Sequence, residues 1–342
     1  MAAPPDLRWK LADGDPQGAL FGDGVTRHQG KGEFRGMEFI HVNAKTIINE
    51  VPAASHMPFR YTINAYRGCQ HACTFCFARP THEYLGMNSG DDFDTKIVVK
   101  VNAVERLRAE VRRPNWAGEH IAMGTNTDPY QRCEGKYHLT RGIVEVLAEA
   151  RNPFSILTKS TLILRDLDLL AEAAKHAEVK ANFSIGTLDD DVWRMTEPGT
   201  PHPRRRVEAI AKLNQAGVRC GVLVAPVLPR LSDAPEQLET VVKACVEAGA
   251  TSITPILLHL RPGVREQYLG WLQTARPDLV EHYQSLYPKS YAPRRTQLEL
   301  TTLVRQLVAK HGGRVVEPRQ ARDVAVVKTA RLPEPQQLSL KL

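Results

Sequence analysis

The sequence lacks any long apolar run. Nowhere in its 342 residues is there a stretch approaching the ~20 apolar residues that span a bilayer. The first ten residues, MAAPPDLRWK, also lack the apolar core of a secretory signal. Both absences argue against a membrane protein and predict a cytoplasmic one. With 42% hydrophobic residues the chain can bury one large core or two smaller ones, which excludes a fibrous or wholly disordered protein.

The charge balance is moderately basic. The 45 Lys and Arg residues exceed the 38 Asp and Glu residues, which gives a net charge of +7. Such a balance is compatible with a polyanionic partner. Many soluble proteins of this size are equally basic, so the charge alone does not identify that partner.

Periodicity divides the chain into four parts. Residues 1–50 are rich in Gly, Asp and Pro with little periodicity, which predicts an irregular N-terminal extension. Residues 55–265 alternate short apolar runs with amphipathic helical segments and form the predicted core domain. Residues 266–315 are predicted to be helical. Residues 316–342 are polar and predict a flexible tail.

Six apolar runs in the core domain are candidate strands. Runs that are apolar on both faces, each followed by a helix of 10 to 15 residues, imply parallel strands with right-handed crossovers. We therefore predict an α/β fold, a partial (βα)6 TIM-like barrel, whose ligands gather at the carboxyl ends of the strands. The runs lie at 61–66, 120–125, 153–158, 179–185, 218–226 and 251–258.

Three of the six cysteines lie close together, in the sequence YRGCQHACTFCFAR. In a reducing compartment the spacing Cys69-x3-Cys73-x2-Cys76 predicts a metal centre rather than disulfides. Three protein ligands leave one iron of a cubane cluster open to a substrate's donor atoms. A zinc site completed by His71, or three unrelated core cysteines, are the alternatives.

This cysteine spacing, with an aromatic residue before the last cysteine, resembles the signature of the radical S-adenosylmethionine (SAM) superfamily. Over about residues 61–260 the chain further resembles the spore photoproduct lyase branch of DNA repair photolyase-like proteins. The other matching pieces are Thr158-Lys159, FSI at 183–185, EPGT at 197–200, Arg206 and GVLVAPV at 221–227.

The resemblance implies two cofactors and a set of residues that hold them. Cys69, Cys73 and Cys76 would ligate a [4Fe–4S] cluster whose fourth iron is chelated by the methionine part of SAM. A donor such as flavodoxin or ferredoxin would reduce the cluster, and a 5′-deoxyadenosyl radical would then take a hydrogen atom from the substrate. The residues implied to bind SAM are Phe75 and Ala225 near the adenine, Lys159 at the methionine carboxylate, Ser184 at the ribose or methionine, and Arg206.

The chain departs from the lyase at two positions. The second predicted strand does not end in the hydrogen-donating cysteine, and Phe77 stands where the lyase has a tyrosine. Phenylalanine has no O–H to relay a hydrogen atom, so repair of spore photoproduct itself is not expected. Cys133, a little further along, is the candidate donor, with a bland loop cysteine as the alternative. Asp128, Tyr130, Glu134 and Arg141 follow the same strand and either line a substrate pocket or simply form a turn.

The last six residues, Gln337–Leu342, resemble the hexapeptide by which bacterial repair proteins bind the sliding clamp. Alternate leucines would enter an apolar groove and the glutamine would bind at its rim. The alternative is a short amphipathic tail that packs on its own domain.

Three functions are compatible with these features. The first is a radical enzyme that acts on nucleic acid. The second is a radical enzyme that modifies a protein, peptide or small metabolite, and the third is a non-enzymatic metal-binding adaptor for DNA or the clamp.

Overall fold

The computed structural model of the protein describes residues 25–55 and 57–315. Over these residues the strands are β1 (Thr26–Gln29), β2 (Glu38–Val42), β3 (Ile48–Glu50), β4 (Tyr61–Ile63), β5 (Tyr66–Arg67), β6 (Lys96–Lys100), β7 (Ile121–Met123), β8 (Phe154–Thr158), β9 (Val179–Ser184), β10 (Arg219–Val227) and β11 (Ile253–Leu257). The α-helices are α1 (Asp91–Thr95), α2 (Ala103–Val111), α3 (Glu134–Tyr137), α4 (Leu139–Glu149), α5 (Leu167–Ala174), α6 (Asp190–Thr196), α7 (Pro203–Gln215), α8 (Pro235–Glu247), α9 (Val264–Ala275), α10 (Val280–Leu286) and α11 (Arg294–Lys310). Among the described residues, every helix is too short or too polar to cross a membrane.

The larger sheet carries the predicted barrel. Its seven strands lie in the order β11, β10, β9, β8, β7, β4, β3. All pairs from β4 to β11 are parallel, whereas β3 is antiparallel to β4. The six parallel strands coincide with the six apolar runs, and the prediction of a partial α/β barrel is confirmed. Side chains such as Ile121, Phe154 and Val222 are fully buried, which is why these runs are apolar on both faces.

The N-terminal part is more regular than predicted. Residues 26–50 form three strands, and β2 pairs with β6 in a second, four-stranded sheet in the order β1, β2, β6, β5. The expectation of an irregular segment is therefore wrong for these residues. The signal lies in the short run Phe39-Ile40, which is buried although a Gly-rich segment precedes it.

Two large hydrophobic cores lie within the described residues, and the second contains one of the clustered cysteines. The main core joins the strands of the barrel to Leu300, Val304 and Leu307 of α11, so this helix belongs to the barrel core. The second core contains Cys73 and Phe75 together with residues of α9 and α10. The helices predicted after residue 265 are present, and they close one side of the cysteine-bearing segment.

Candidate functional site

The three clustered cysteines lie in the segment between β5 and a 3-10 helix at Arg79–Leu85, which we call the cysteine loop (residues 68–78). All three are free thiols, and Cys69 and Cys73 are each 6% exposed. Burial raises the pKa of each thiol, and the neighbouring thiols Cys73 and Cys76 raise the pKa of Cys69 further, so the three groups lie within electrostatic reach of one another.

The donor set suits an iron–sulfur cluster. Within residues 25–55 and 57–315, no three His, Cys, Asp or Glu side chains are already arranged around a common metal position. The loop nevertheless supplies three free thiols. Buried thiols resist ionisation unless a cation compensates their charge, and bound iron would provide that compensation.

A buried arginine binds the backbone of the cysteine loop. Arg79 is 2% exposed. Its Nε and Nη2 donate to the Cys73 carbonyl at 3.2 and 3.0 Å, and Nη2 also donates to Asp94 at 2.8 Å. The guanidinium thereby fixes the backbone at the middle cysteine. Sequence reasoning missed this residue, although it stands only three positions after Cys76.

The segment at and just before the EPGT motif (residues 197–200) also binds the backbone of the cysteine loop. Thr74 N donates to Thr196 O, and Gly199 N donates to His71 O, both at 3.0 Å. A Cβ on Gly199 would lie only 2.2 Å from the Gln70 carbonyl oxygen, so glycine is required by this close approach. The motif that supported the family resemblance thus packs directly against the cysteine loop.

Glu197 is the centre of a buried charge network. Its carboxylate is 5% exposed and lies 2.7 Å from Lys159 Nζ and 2.6 Å from Arg206 Nη2. Burial by itself raises the pKa of Glu197, but Arg206 and Lys159 outweigh burial and lower it to about 2. The sequence places Glu197 in the EPGT motif but indicates no role for it.

Local structure explains why these side chains converge. Lys159 follows the last residue of β8, and Asp128 orients it by accepting from Lys159 N at 2.7 Å. Arg206 lies in the first turns of α7, which begins at Pro203, where the fixed φ of proline suits a helix start. Glu197 follows α6 directly. Strand ends and helix starts therefore meet at one edge of the sheet.

The structure brings most of the predicted SAM-binding residues together. Lys159 Nζ lies 5.3 Å from the centre of the Phe75 ring, and both Lys159 and Arg206 act electrostatically on Cys73. Arg206 Nη1 also donates to the Ser184 carbonyl at 3.0 Å. Ala225 is 9% exposed on β10, the strand next to β9. Lys159 is 13% exposed, which rules out an ordinary surface lysine.

Asp128 has a positioning role in the structure. It accepts from Thr158 Oγ1 at 2.6 Å and from Tyr130 N at 2.9 Å, and it lies 3.3 Å from His71 Nδ1. Burial raises its pKa, but His71 and the hydrogen-bond donors reverse the shift and lower it. Asp128 therefore joins the end of β8 to the cysteine loop.

The polar residues after Asp128 lie in a second buried network. Tyr130 OH donates to Asp166 at 3.1 Å, and Arg141 Nη1 also donates to Asp166, at 2.9 Å. Glu134 is fully buried and pairs with Arg165 at 2.9 Å. These contacts favour the turn over the pocket-lining alternative.

Cys133 lies in the main core. It is fully buried, burial raises the pKa of its thiol, and its backbone N donates to the Gln70 side chain at 2.7 Å. Through this hydrogen bond the backbone of Cys133 contacts the cysteine loop. The assignment of Cys133 as a hydrogen donor stays a prediction.

Comparison with known families gives the class of protein. The family described as the radical SAM superfamily matches residues 63–245, more than half of the chain, and includes the cysteine loop and the Glu197 network. The chain belongs to the radical SAM superfamily. It is therefore a radical SAM enzyme, and the cofactors of its superfamily are a [4Fe–4S] cluster and SAM.

Several relatives are similar to this chain, over between about half and more than four fifths of its length. An uncharacterized protein of Mycobacterium bovis is 47% identical over 289 residues, which cover 84% of this chain and 85% of that protein. One of Methanocaldococcus jannaschii is 28% identical over 258 residues, or 75% of this chain and 86% of that protein. The radical SAM Nalpha-GlyT isomerase of Pseudomonas phage M6 is 25% identical over 162 residues, which are 47% of this chain and 32% of the isomerase.

Solved structures support the fold. A spore photoproduct lyase mutant with bound AdoMet and dinucleoside spore photoproduct superposes with a TM-score of 0.59, at 19% identity and 80% coverage of each chain. At this identity the likeness concerns the fold.

Proposed function

We propose that the protein cleaves SAM at a [4Fe–4S] cluster held by Cys69, Cys73 and Cys76 and uses the resulting radical on a nucleic-acid substrate. When bound, the reduced cluster supplies the electron that splits the sulfonium of SAM into methionine and a 5′-deoxyadenosyl radical. The contact of the cysteine loop with the Lys159–Glu197–Arg206 network is the observation that carries this proposal.

The charges of this network support a site for the methionine carboxylate. Lys159, which is 13% exposed, and the fully buried Arg206 are two cations that face the carboxylate of Glu197. An anionic ligand group at this position would be attracted by both cations. Lys159 suits this role because an ammonium on a flexible stem can reach an exposed anion.

Nucleic acid is the favoured substrate class for two reasons. The chain is basic, with a net charge of +7. It shares its fold with a lyase that binds a dinucleoside photoproduct. Repair of spore photoproduct itself is not proposed, because Phe77 has no O–H to relay a hydrogen atom. A protein, peptide or small metabolite remains the alternative substrate.

Three further assignments stay predictions. Flavodoxin or ferredoxin is the expected electron donor, since enzymes of this superfamily commonly use them. The candidate clamp-binding peptide Gln337–Leu342 lies outside the described residues. A cytoplasmic location is expected from the sequence.

The cluster assignment is tested by anaerobic reconstitution of the full chain. We expect bound iron and sulfide, and formation of 5′-deoxyadenosine after reduction in the presence of SAM. Cys69→Ala, Cys73→Ala and Cys76→Ala should each lose both. Cys245→Ala is the matched control, since Cys245 is a buried cysteine of α8 in the main core. Tightly bound zinc in place of iron, or a cluster that survives all three replacements together, contradicts the assignment.

The substrate class is tested by isotope transfer. Deuterated single-stranded and duplex DNA, RNA and peptide pools are incubated with the reconstituted enzyme, and deuterium in 5′-deoxyadenosine is measured by mass spectrometry. We expect transfer from a nucleic acid. Transfer from peptides alone would favour the alternative substrate.

A further inference from the structure

Three aromatic rings form a row beside the cysteine loop. Phe77, directly after the third cysteine, is 46% exposed, and Tyr291 is 49% exposed. The His259 ring lies between them, with its centre 6.3 Å from that of Phe77 and 5.5 Å from that of Tyr291. The planes of His259 and Tyr291 differ by only 28°, so these two rings are stacked. We call Phe77, His259 and Tyr291 the aromatic row.

Backbone pairing fixes the row in place. His259 stands two residues beyond the end of β11 and forms an antiparallel bridge with Tyr291, and Leu260 N donates to Ser290 O at 2.7 Å. Arg261 Nη2 donates to the Tyr291 hydroxyl at 2.9 Å. The row therefore lies at the carboxyl end of the last barrel strand, the edge at which ligands of such folds bind.

The segments that carry His259 and Tyr291 are basic. Residues 257–265 and 287–295 contain no Asp or Glu. This composition attracts a polyanion to the rim where the rings are exposed. The cations of the two segments are Arg261, Arg265, Lys289, Arg294 and Arg295.

We propose that the aromatic row stacks an unpaired base of a single-stranded nucleic acid while the neighbouring cations hold its phosphates, an inference that rests on the proposed function. Aromatic faces beside cationic side chains are the usual means of binding single strands, because every base presents a π face. Burial and Arg261 lower the pKa of His259, so its ring is neutral at pH 7 and stacks as an aromatic group. Stacking at Phe77 would hold the base next to the cluster-bearing loop.

The test measures dissociation constants for the anaerobically reconstituted full chain. The probes are a fluorescent single-stranded oligodeoxynucleotide and the same strand with abasic positions, at one fixed salt concentration. We expect the complete strand to bind more tightly by about 5- to 150-fold, the range expected for stacking one base. Tyr291→Leu and Phe77→Leu should remove most of this preference for bases.

Two variants serve as controls. Tyr291→Phe keeps the ring and should bind within roughly twofold of the wild type. Tyr84→Leu removes a tyrosine that is equally exposed, at 50%, on the 3-10 helix Arg79–Leu85, outside the row. It should also leave binding unchanged. The four variants change three exposed side chains, Phe77, Tyr84 and Tyr291, and circular dichroism checks that each variant is folded.

The outcomes separate this inference from the proposed function. Equal binding of complete and abasic strands by the wild type overturns the stacking role, as does an equal loss in Tyr84→Leu. Tighter binding of an unstructured peptide than of the oligonucleotide at the row also overturns it. Formation of 5′-deoxyadenosine is measured in the same preparation, and its absence overturns the radical chemistry whatever the binding data show.

Discussion

The Glu197 network and the aromatic row both contact the cysteine loop, the network through Phe75 and the row through Phe77, and they differ in burial. In the network, Glu197 and Arg206 are almost completely buried and each polar group meets a partner at fixed distance. In the row, Phe77 and Tyr291 leave about half of their surface in water. Interior charges require matching before they are tolerated, whereas exposed rings are free to receive a planar ligand. The difference agrees with our proposals that the network binds a cofactor of fixed shape and that the row binds a variable substrate.

The largest effect is expected from Glu197→Ala, which removes the carboxylate at the centre of the buried network. The change leaves Lys159 and Arg206 buried without their carboxylate, and breaking a buried pair in this way costs about 3–5 kcal/mol. Urea unfolding of the chain should show this loss in the free energy of unfolding. Glu172→Ala, which removes an exposed ion pair with Lys175, is the control and should leave the unfolding midpoint unchanged. A stable Glu197→Ala protein would mean that the network is not required for folding.

The next effect is expected at Gly199. In Gly199→Ala the new methyl group would collide with the Gln70 carbonyl, and such overpacking costs about 1–3 kcal/mol. The shifted cysteine loop should also retain less iron after reconstitution. Gly270→Ala in α9 is the matched control, because nothing lies within 4 Å of its added Cβ. That variant should be as stable as the wild type or gain about 0.5–1 kcal/mol from the better helix former. Equal iron retention in both variants would contradict the proposed fit of Gly199.

The substitution Cys133→Ala tests whether this buried cysteine takes part in the reaction. If it donates a hydrogen atom, Cys133→Ala should abolish product formation while 5′-deoxyadenosine still forms. If it is a core residue alone, the variant should lose about 1 kcal/mol of stability, as expected for one buried heavy atom, and keep its product. Mass spectrometry of both products decides between these results, with Cys245→Ala as the control for a buried thiol.

The smallest expected effect concerns the charges at the rim. Lys289 is exposed two residues before Tyr291. If it contacts one phosphate, Lys289→Gln should reduce the slope of log affinity against log salt for single-stranded DNA by about 0.7. Lys175→Gln, on the exposed end of α5, is the comparison and should leave the slope unchanged. A slope that changes equally in both variants would point to a diffuse charge effect.

Sequence and structure agree where the signal is local and strong. The six parallel strands could be predicted because each lies in a short run rich in apolar residues, with helical segments between the runs. Strands β1, β2 and β3 were missed because they are short and Gly30, Gly32 and Gly36 interrupt the sequence around them. Their pairing with distant β6, or with β4, is what makes them strands.

The same distinction between local sequence signals and long-range contacts applies to the candidate site. Phe75, Lys159, Ser184 and Arg206 could be placed from motifs, whereas Glu197 received no role because its two partners lie 38 and 9 positions away. The aromatic row was not foreseen for a similar reason. Tyr291 reaches His259 only after α9 and α10 have folded between them.

The packing of α11 determines where this chain tolerates shortening. The helix lies against β11, the outermost strand of the larger sheet, and buries Val304 and Val308 in the barrel core. Truncation after residue 315 would spare it. Truncation before Arg294 would uncover apolar side chains beside β11, whose outer edge has no strand partner within residues 25–55 and 57–315, and such edges promote aggregation.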